Sequence, residues 1–211
     1  MLSMKEGYVK FNFDIKEKEP VEESKITELN SYRLKCYDLN LIGMYKEGEL
    51  KGVGFGNISV NDGDDFIISG TKTGGLDVLT NENYTRITGY DLSKNHVESR
   101  GAVAPSSEAM THAAVYDSDL SIKAVIHIHN KEFWDYLLKQ DVPKTSKDAA
   151  YGTTEMGNEV KRLFKETDAS QKKIIVMEGH EEGVLAFGKD LEEAYFVLMK
   201  HYNASKEGII S

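Results

Sequence analysis

The sequence has few of the features that mark secreted, disulfide-rich or membrane proteins. It contains one cysteine, Cys36, among 211 residues, which rules out an internal disulfide framework and fits a reducing compartment. It has no run of 18 apolar residues, so no membrane span is predicted. The segment Met1–Phe13 carries charges throughout and lacks the apolar centre of a signal peptide. We therefore expect a cytoplasmic protein.

Positive charge is also scarce. The chain has 26 basic and 35 acidic residues, which gives a net charge of −9. This balance argues against a general nucleic-acid binder and against a protein that binds anionic membranes. Because the net charge is negative, a substrate phosphate would need a local binding site that overcomes the overall electrostatic repulsion. Hydrophobic residues make up 40% of the chain, which is enough for the core of one large domain or two small ones.

The stretch from Pro105 to Asn130 carries most of the reactive side chains. It begins with Pro-Ser-Ser-Glu, which is typical of a helix start, and it ends with His-Ile-His-Asn. Residues 122–128 are apolar and partly β-branched, which predicts a buried strand. Alternate side chains of a strand share a face, so His127 and His129 should point the same way. Two adjacent imidazoles suit a transition metal such as zinc, although the pair alone is only suggestive.

A third histidine strengthens the prediction of a metal site. Residues 172–180 read as a second buried strand that ends in His180, beside a glycine turn. Three histidines at strand ends, together with Glu108 at a helix start, would give three protein ligands and an open position. That arrangement is typical of a catalytic metal site.

These residues resemble the class II aldolase/adducin family, whose members include fuculose-phosphate aldolase, ribulose-phosphate 4-epimerase and methylthioribulose-phosphate dehydratase. The resemblance covers about residues 50–200, in matching order. It is carried by the following motifs: Gly56-Asn57-Ile58-Ser59, Ser106-Ser107-Glu108 with His112, His127-x-His129, Gly152-Thr153-x-Glu155, His180, and Gly188 with Asp190-Leu191-Glu192-Glu193-Ala194.

The resemblance implies an α/β fold, namely a three-layer α/β/α single domain with a central mixed, largely antiparallel sheet. It implies Zn²⁺, or another divalent transition metal, on His127, His129 and His180. Glu108 would be the catalytic acid/base. A small phosphorylated sugar would be the substrate, and a homotetramer would carry its active sites at subunit interfaces. The residues implied in binding the substrate phosphate are Gly56, Asn57, Thr73, Gly74, Ser106 and Ser107.

Three details stay open on the sequence. Either Ser69-Gly70 or Thr73-Gly74 could face the phosphate, and we favour Thr73-Gly74. One of the two serines before Glu108 could serve only as a helix N-cap. Glu181 and Glu182 follow His180, where the family usually has His-Gly, and they either face outward or change the charge of the site.

The remaining pattern predicts the elements around this site. We expect an N-terminal arm at residues 1–23 and one domain at 24–211, which begins with a helix capped by Ser24 that runs through residue 42. The other predicted elements are a hairpin at 53–60 and 65–69, a hairpin at 85–103, helices after Ser107, at 131–139 and from Thr153 or Thr154 to about 167, a strand at 184–187, and a final helix that starts at Asp190.

The predicted activity is a zinc-dependent aldolase-type lyase that cleaves a phosphorylated ketose through a metal-stabilised enediolate. An epimerase or dehydratase of a phosphorylated sugar is the alternative on the same scaffold. A non-enzymatic, adducin-like domain is a further alternative, but such domains lack the three histidines that this chain keeps.

Overall fold

The computed structural model describes residues 8–208. Its core is an eight-stranded sheet with the order β1-β7-β6-β5-β4-β8-β10-β9. These strands are β1 (Asn12–Glu17), β4 (Asn57–Asp62), β5 (Asp65–Ser69), β6 (Tyr84–Asp91), β7 (His96–Gly101), β8 (Ala124–His129), β9 (Ile174–Val176) and β10 (Gly183–Gly188). A small second sheet pairs β2 (Gly43–Met44) with β3 (Gly54–Phe55).

Helices cover both faces of the large sheet. They are α1 (Glu23–Asp38), α2 (Ala109–Ser118), α3 (Lys131–Leu138), α4 (Thr154–Glu166), α5 (Ala169–Lys172) and α6 (Leu191–Gly208). One apolar core joins α1, α3 and α6 to one face of the sheet, and a second joins α2, α4 and α5 to the other. The predicted three-layer α/β/α domain is confirmed. Within residues 8–208, no helix has both the length and the apolar character needed to cross a bilayer.

The sheet is mixed because one pair of strands is parallel. β1 runs parallel to β7, whereas the other neighbouring strands pair antiparallel. Residues 12–17 of the predicted arm therefore form an edge strand of the same sheet, and α1 follows at Glu23. Residues 1–7 of that arm lie outside the described part of the chain. The division at residue 23 remains a prediction.

The first helix differs from its prediction at both ends. Glu22, not Ser24, precedes its first residue, and no side chain caps it. The helix ends at Asp38, and Asn40 takes a left-handed conformation with φ 53°. The apolar spacing continues past Asp38 because Leu41 and Ile42 also enter the core, but they do so from the segment that leads into β2.

Strand β8 lies between β4 and β10 and positions the His-x-His motif. All six of its residues are buried. Ile126 and Ile128 belong to the core that faces α1 and α6, so His127 and His129 point to the opposite face, as the period of two predicts. Asn57 pairs with His127 across the β4–β8 ladder, and opposite residues in such a ladder share a face.

Candidate active site

The three predicted metal ligands come together in the structure. His127, His129 and His180 are each no more than 3% exposed. Each offers a ligand atom, and these atoms lie within 4.8 Å of one another. The Nε2 atoms of His127 and His129 are 3.0 Å apart. The third histidine reaches them because the turn between β9 and β10 folds back beside the end of β8, where Gly183 pairs with His129.

His127 is held as a neutral ring. Its Nδ1 lies 3.2 Å from the carbonyl oxygen of Val184. A carbonyl oxygen only accepts, so Nδ1 carries the hydrogen and Nε2 presents a lone pair. Burial, followed by the neighbouring rings of His129 and His180, keeps the pKa of His127 well below its ordinary value. The ring is therefore in the form that ligates metals.

Glu108 lies at the edge of the histidine cluster. It directly precedes the first residue of α2 and is 2% exposed. Its Oε1 is 3.6 Å from Nδ1 of His180, and its Oε2 accepts a hydrogen bond from the Thr111 hydroxyl at 2.7 Å. The backbone and the Thr111 contact thus direct the carboxylate toward the histidines.

A cavity of about 340 Å³ opens beside this cluster. Glu108, His127 and His129 line it, together with all six residues predicted to bind phosphate. Two lysines without a predicted role in the site, Lys51 and Lys72, also line it. The six predicted residues are Gly56, Asn57, Thr73, Gly74, Ser106 and Ser107.

Two positions in the lining of the cavity require glycine because the main chain of another segment lies close to them. Gly56 has φ +73°, and a Cβ there would lie 2.8 Å from Ile42 and 3.1 Å from the His127 carbonyl oxygen. A Cβ on Gly74 would lie 2.5 Å from the Gly43 carbonyl oxygen and 2.8 Å from that of Phe55. Both positions therefore bring main chain against main chain, which a larger residue would prevent.

Both candidate loop pairs have a residue at the cavity, and the choice of Thr73-Gly74 remains a prediction. The Ser69 hydroxyl accepts a hydrogen bond from the Ile58 amide at 3.2 Å, so it ties β5 to β4. Gly70 lines the cavity, as do Thr73 and Gly74. Among the serines, the Ser106 hydroxyl accepts from the Glu108 amide at 3.3 Å. Ser106 thus stabilises the turn that leads into α2, whose N-cap position is Glu108 and has no side-chain cap, while it also lines the cavity.

Aromatic rings enclose the histidines. Tyr151 stacks on His180 with ring centroids 4.7 Å apart, and Phe55 stacks on His129 at 5.6 Å. Lys10 lies over the Tyr151 ring, 3.2 Å from its centroid, and donates to the Tyr151 carbonyl oxygen at 3.1 Å. Tyr151 belongs to an irregular segment, where no periodic pattern of the sequence marks it for the site.

Tyr45 contacts His129 at Nδ1, and Glu182 in turn contacts Tyr45. The Tyr45 hydroxyl lies 3.0 Å from Nδ1 of His129 and donates to Oε2 of Glu182 at 2.7 Å. Glu181, in contrast, is exposed and lies 3.6 Å from Lys131. The two acidic residues after His180 therefore differ: Glu182 faces the site and Glu181 faces outward.

Comparison with known proteins gives concordant results. The model of the class II aldolase and adducin N-terminal domain family matches residues 43–206. An L-fuculose phosphate aldolase of Methanococcus maripaludis is 30% identical over 155 residues, which cover 66% of this chain and 76% of that protein.

Solved structures show the same fold at lower identity. An L-fuculose 1-phosphate aldolase superposes with a TM-score of 0.67 at 20% identity, over 90% of this chain and 87% of that one. The L-fuculose-1-phosphate aldolase of Thermus thermophilus superposes with a TM-score of 0.62 at 17% identity, over 86% and 90%. The chain belongs to the class II aldolase and adducin N-terminal domain family.

Proposed function

We propose that the protein is a metal-dependent aldolase-type lyase that cleaves a phosphorylated ketose. The observation that carries the proposal is the position of three buried imidazoles and one buried carboxylate beside a cavity that also has an anion cradle. The relative from M. maripaludis, an L-fuculose phosphate aldolase by name, supports the same reaction class.

The residues present fit a divalent transition metal. The Nε2 lone pair of His127 faces Nε2 of His129 at 3.0 Å, and tetrahedral bonds of about 2.0–2.1 Å place two nitrogen ligands about 3.3 Å apart. His127, His129 and His180 would hold the ion, and zinc is the first candidate. The metal would supply a Lewis acid that stabilises the negative charge developing on the substrate oxygens as the carbon–carbon bond breaks.

The cavity wall supplies an anion cradle. The ten-residue helix α2 begins just after Ser106 and Ser107, and the first N–H groups of a helix favour an anion. The Gly56 bend and the Thr73-Gly74 loop line the same space, where two lysines add positive charge. Asn57 lines the same space, and the N–H groups of its side-chain amide can donate to an anion. A phosphate held there would bring the sugar carbonyl toward the histidines.

Glu108 would move the proton. In the cleavage direction it removes the hydroxyl proton as the bond breaks, or it protonates the carbon that is left, since one carboxylate can act in both directions. Its contact with Thr111 fixes one oxygen and leaves the other toward His180.

We also propose that the enzyme works as a cytoplasmic homotetramer with active sites at subunit interfaces. Several large apolar side chains are exposed on elements that flank the cavity. Arg33 of α1 donates to the Asp77 carbonyl oxygen, and Met44 lies against Gly75, so these elements adjoin one another. Their exposed apolar residues are Leu34, Met44, Leu76 and Val78, and we call this set the apolar surface. Large apolar side chains exposed on neighbouring elements are typical of an interface.

The test is a screen of ketose phosphates with the zinc-loaded protein, read by product analysis. We expect release of a triose phosphate and an aldehyde from a ketose 1-phosphate. His127→Ala and His180→Ala should lose both the metal, measured by elemental analysis, and the activity. Recovery of an epimer or a dehydrated product would assign the alternative reaction. Stoichiometric metal in both variants would refute the proposed metal site.

Crystals grown with sulfate test the cradle separately. We expect the anion between the Gly56 bend and the start of α2. A cradle filled by protein side chains, with no room for an anion, would contradict the phosphorylated substrate.

A further inference from the structure

A chain of hydrogen bonds connects Glu182 to His129 through Tyr45. Oε2 of Glu182 lies 3.9 Å from Nδ1 of His129, which is too far for a direct hydrogen bond. The Tyr45 hydroxyl lies between them, 2.7 Å from the carboxylate and 3.0 Å from the imidazole. The tyrosine therefore joins two groups that do not reach each other.

The two hydrogen bonds that join His129, Tyr45 and Glu182 run in one direction. A tyrosine hydroxyl has a single hydrogen, and here it is donated to Glu182. Toward His129 the phenolic oxygen is left to accept, so Nδ1 of His129 carries its hydrogen and Nε2 is left with a lone pair. That Nε2 faces Nε2 of His127 at 3.0 Å. The carboxylate thus selects the tautomer that points a lone pair into the histidine cluster.

The backbone conformation of Glu182 favours glycine, so a glutamate at this position indicates a role for its side chain. Glu182 has φ 69°, a left-handed conformation that a residue with a side chain rarely adopts. Its carbonyl oxygen accepts from the Asn130 amide at 3.1 Å, just past the end of β8. Glycine would suit this backbone better, but only a side chain with an acceptor can reach Tyr45.

We propose that Tyr45 and Glu182 are positioning residues that fix the tautomer and the orientation of His129 for metal binding. The proposal rests on the proposed metal site. A carboxylate that orients a histidine ligand through its second nitrogen raises the basicity of that ligand, and loss of such a partner typically weakens metal binding about 10–100-fold. Phe55, stacked on His129 and 4.7 Å from the Tyr45 ring, keeps both rings in place.

The first test measures zinc affinity by chelator competition on the full-length protein. Tyr45→Phe and Glu182→Met, which removes the acceptor, should each raise the Kd for zinc about 10–100-fold. The Kd of the double variant should be no higher than that of the worse single variant, because both changes break the same chain of hydrogen bonds. Glu181→Met is the matched control, since Glu181 points to Lys131, and its Kd should equal that of the wild type.

Two further readouts separate positioning from general structural support. NMR of the zinc-loaded protein should show His129 protonated at Nδ1 and hydrogen-bonded there, and Tyr45→Phe should lose this hydrogen bond. Glu182→Gly relieves the left-handed strain, so it should raise the Tm of the metal-free protein while it weakens zinc binding. A residue with only a structural role would move both quantities in the same direction.

The outcomes distinguish this proposal from the one on which it rests. Wild-type zinc affinity in Tyr45→Phe and Glu182→Met, together with loss of zinc in His129→Ala, would overturn the positioning role and leave the metal site intact. Zinc binding that survives His127→Ala would overturn the metal site and the positioning role with it. An unchanged hydrogen bond at Nδ1 of His129 in Tyr45→Phe would also refute the positioning role.

Discussion

Glu108 and His112 lie one helical turn apart on the same side of the sheet, yet their surroundings give them different properties. The carboxylate of Glu108 reaches the cavity and the histidine cluster. His112 is fully enclosed, with Nδ1 2.7 Å from the Ser59 hydroxyl, which in turn lies 2.7 Å from the Tyr116 hydroxyl. Of the two residues, Glu108 therefore has the position from which a bound substrate can be reached.

Replacement of Glu108 tests its role in proton transfer. Glu108→Gln keeps the shape and removes the proton acceptor, so turnover should fall about 10²–10⁴-fold while zinc content stays unchanged. Steady-state kinetics and elemental analysis measure the two quantities. Glu192→Gln, at an exposed position of α6, serves as the control. If Glu108 were only a metal ligand, zinc affinity would fall and turnover would recover at saturating zinc.

The buried His112 predicts how stability depends on pH. Burial lowers the pKa of His112 from 6.5 to about 3. Below about pH 6.5 the unfolded chain takes up a proton at this ring, and the folded protein does so only near pH 3. The free energy of unfolding should therefore fall as the pH falls through this window, by about 2 kcal/mol between pH 6.5 and 4.5.

Denaturant titrations of the metal-free protein at several pH values check this prediction. His112→Gln should be less stable at pH 7, because it changes the contact with Ser59, but its stability should decline less steeply toward pH 4.5. Equal slopes in the two proteins would show that His112 takes up its proton as readily in the folded state as in the unfolded chain.

At the scale of elements, helix α1 supports the loop that lines the cavity. Arg33 of α1 is 2% exposed. Its guanidinium donates to the carbonyl oxygens of Asp77, Thr73 and Gly74 at 2.9, 3.3 and 2.7 Å. Burial lowers the pKa of Arg33, but an arginine remains charged at neutral pH. The carbonyl groups of Thr73 and Gly74 point toward Arg33. In a trans peptide unit the N–H points opposite to the C=O, so the N–H groups of Gly74 and Gly75 point away from Arg33.

Removal of this buried cation should weaken both the fold and the anion cradle. Arg33→Met leaves three carbonyl groups without their charged donor, so the free energy of unfolding should fall by about 3 kcal/mol or more. The affinity for inorganic phosphate should fall about tenfold or more, since the loop loses its support. Arg33→Lys should be intermediate because an ammonium lacks the planar fork.

Calorimetric phosphate titration and denaturant unfolding measure these effects. Arg162→Met is a matched control, because Arg162 forms ion pairs within α4, away from the cavity. It should leave phosphate affinity unchanged. Wild-type phosphate affinity in a folded Arg33→Met protein would show that the loop keeps its shape without the arginine.

At the scale of the whole molecule, the sequence pattern predicts the layers and the central histidines, and it fails where the signal is short or distant. β8 has a period-two pattern and strong apolar character, so its two faces were assigned correctly. β2 and β3 have two residues each, too few for a periodic pattern. The parallel pair of β1 with β7 joins residues more than 80 positions apart, and local patterns carry no information about such a partner.

The same limit explains what was missed in the site. His127, His129, His180 and Glu108 stand at marked strand ends or at a helix start, where residue type and position together are informative. Tyr45 belongs to a segment with turn residues and no periodicity, and its contact with His129 spans 84 positions. Arg33 occurs on the buried face of α1, where its partners are backbone carbonyl groups that no residue type reveals.

The apolar surface predicts the state of association. Val78 is 68% exposed within this surface. Val78→Lys should shift the protein from a tetramer to smaller species, because a charge buried at an interface is costly. Size-exclusion chromatography with light scattering measures the mass. Leu120→Lys is the control, since Leu120 is 81% exposed beyond the apolar surface. A monomeric wild-type protein would refute the tetramer.

The contact of Lys10 with Tyr151 has a practical consequence for handling the protein. Lys10 lies over the Tyr151 ring, and that ring stacks on His180, a proposed metal ligand. The segment just ahead of β1 is therefore linked to the proposed metal site through Tyr151. A protease that trims the chain past this lysine would remove a group that contacts the ring beside His180. Enzyme that keeps Lys10 is therefore the sounder reference for kinetic work.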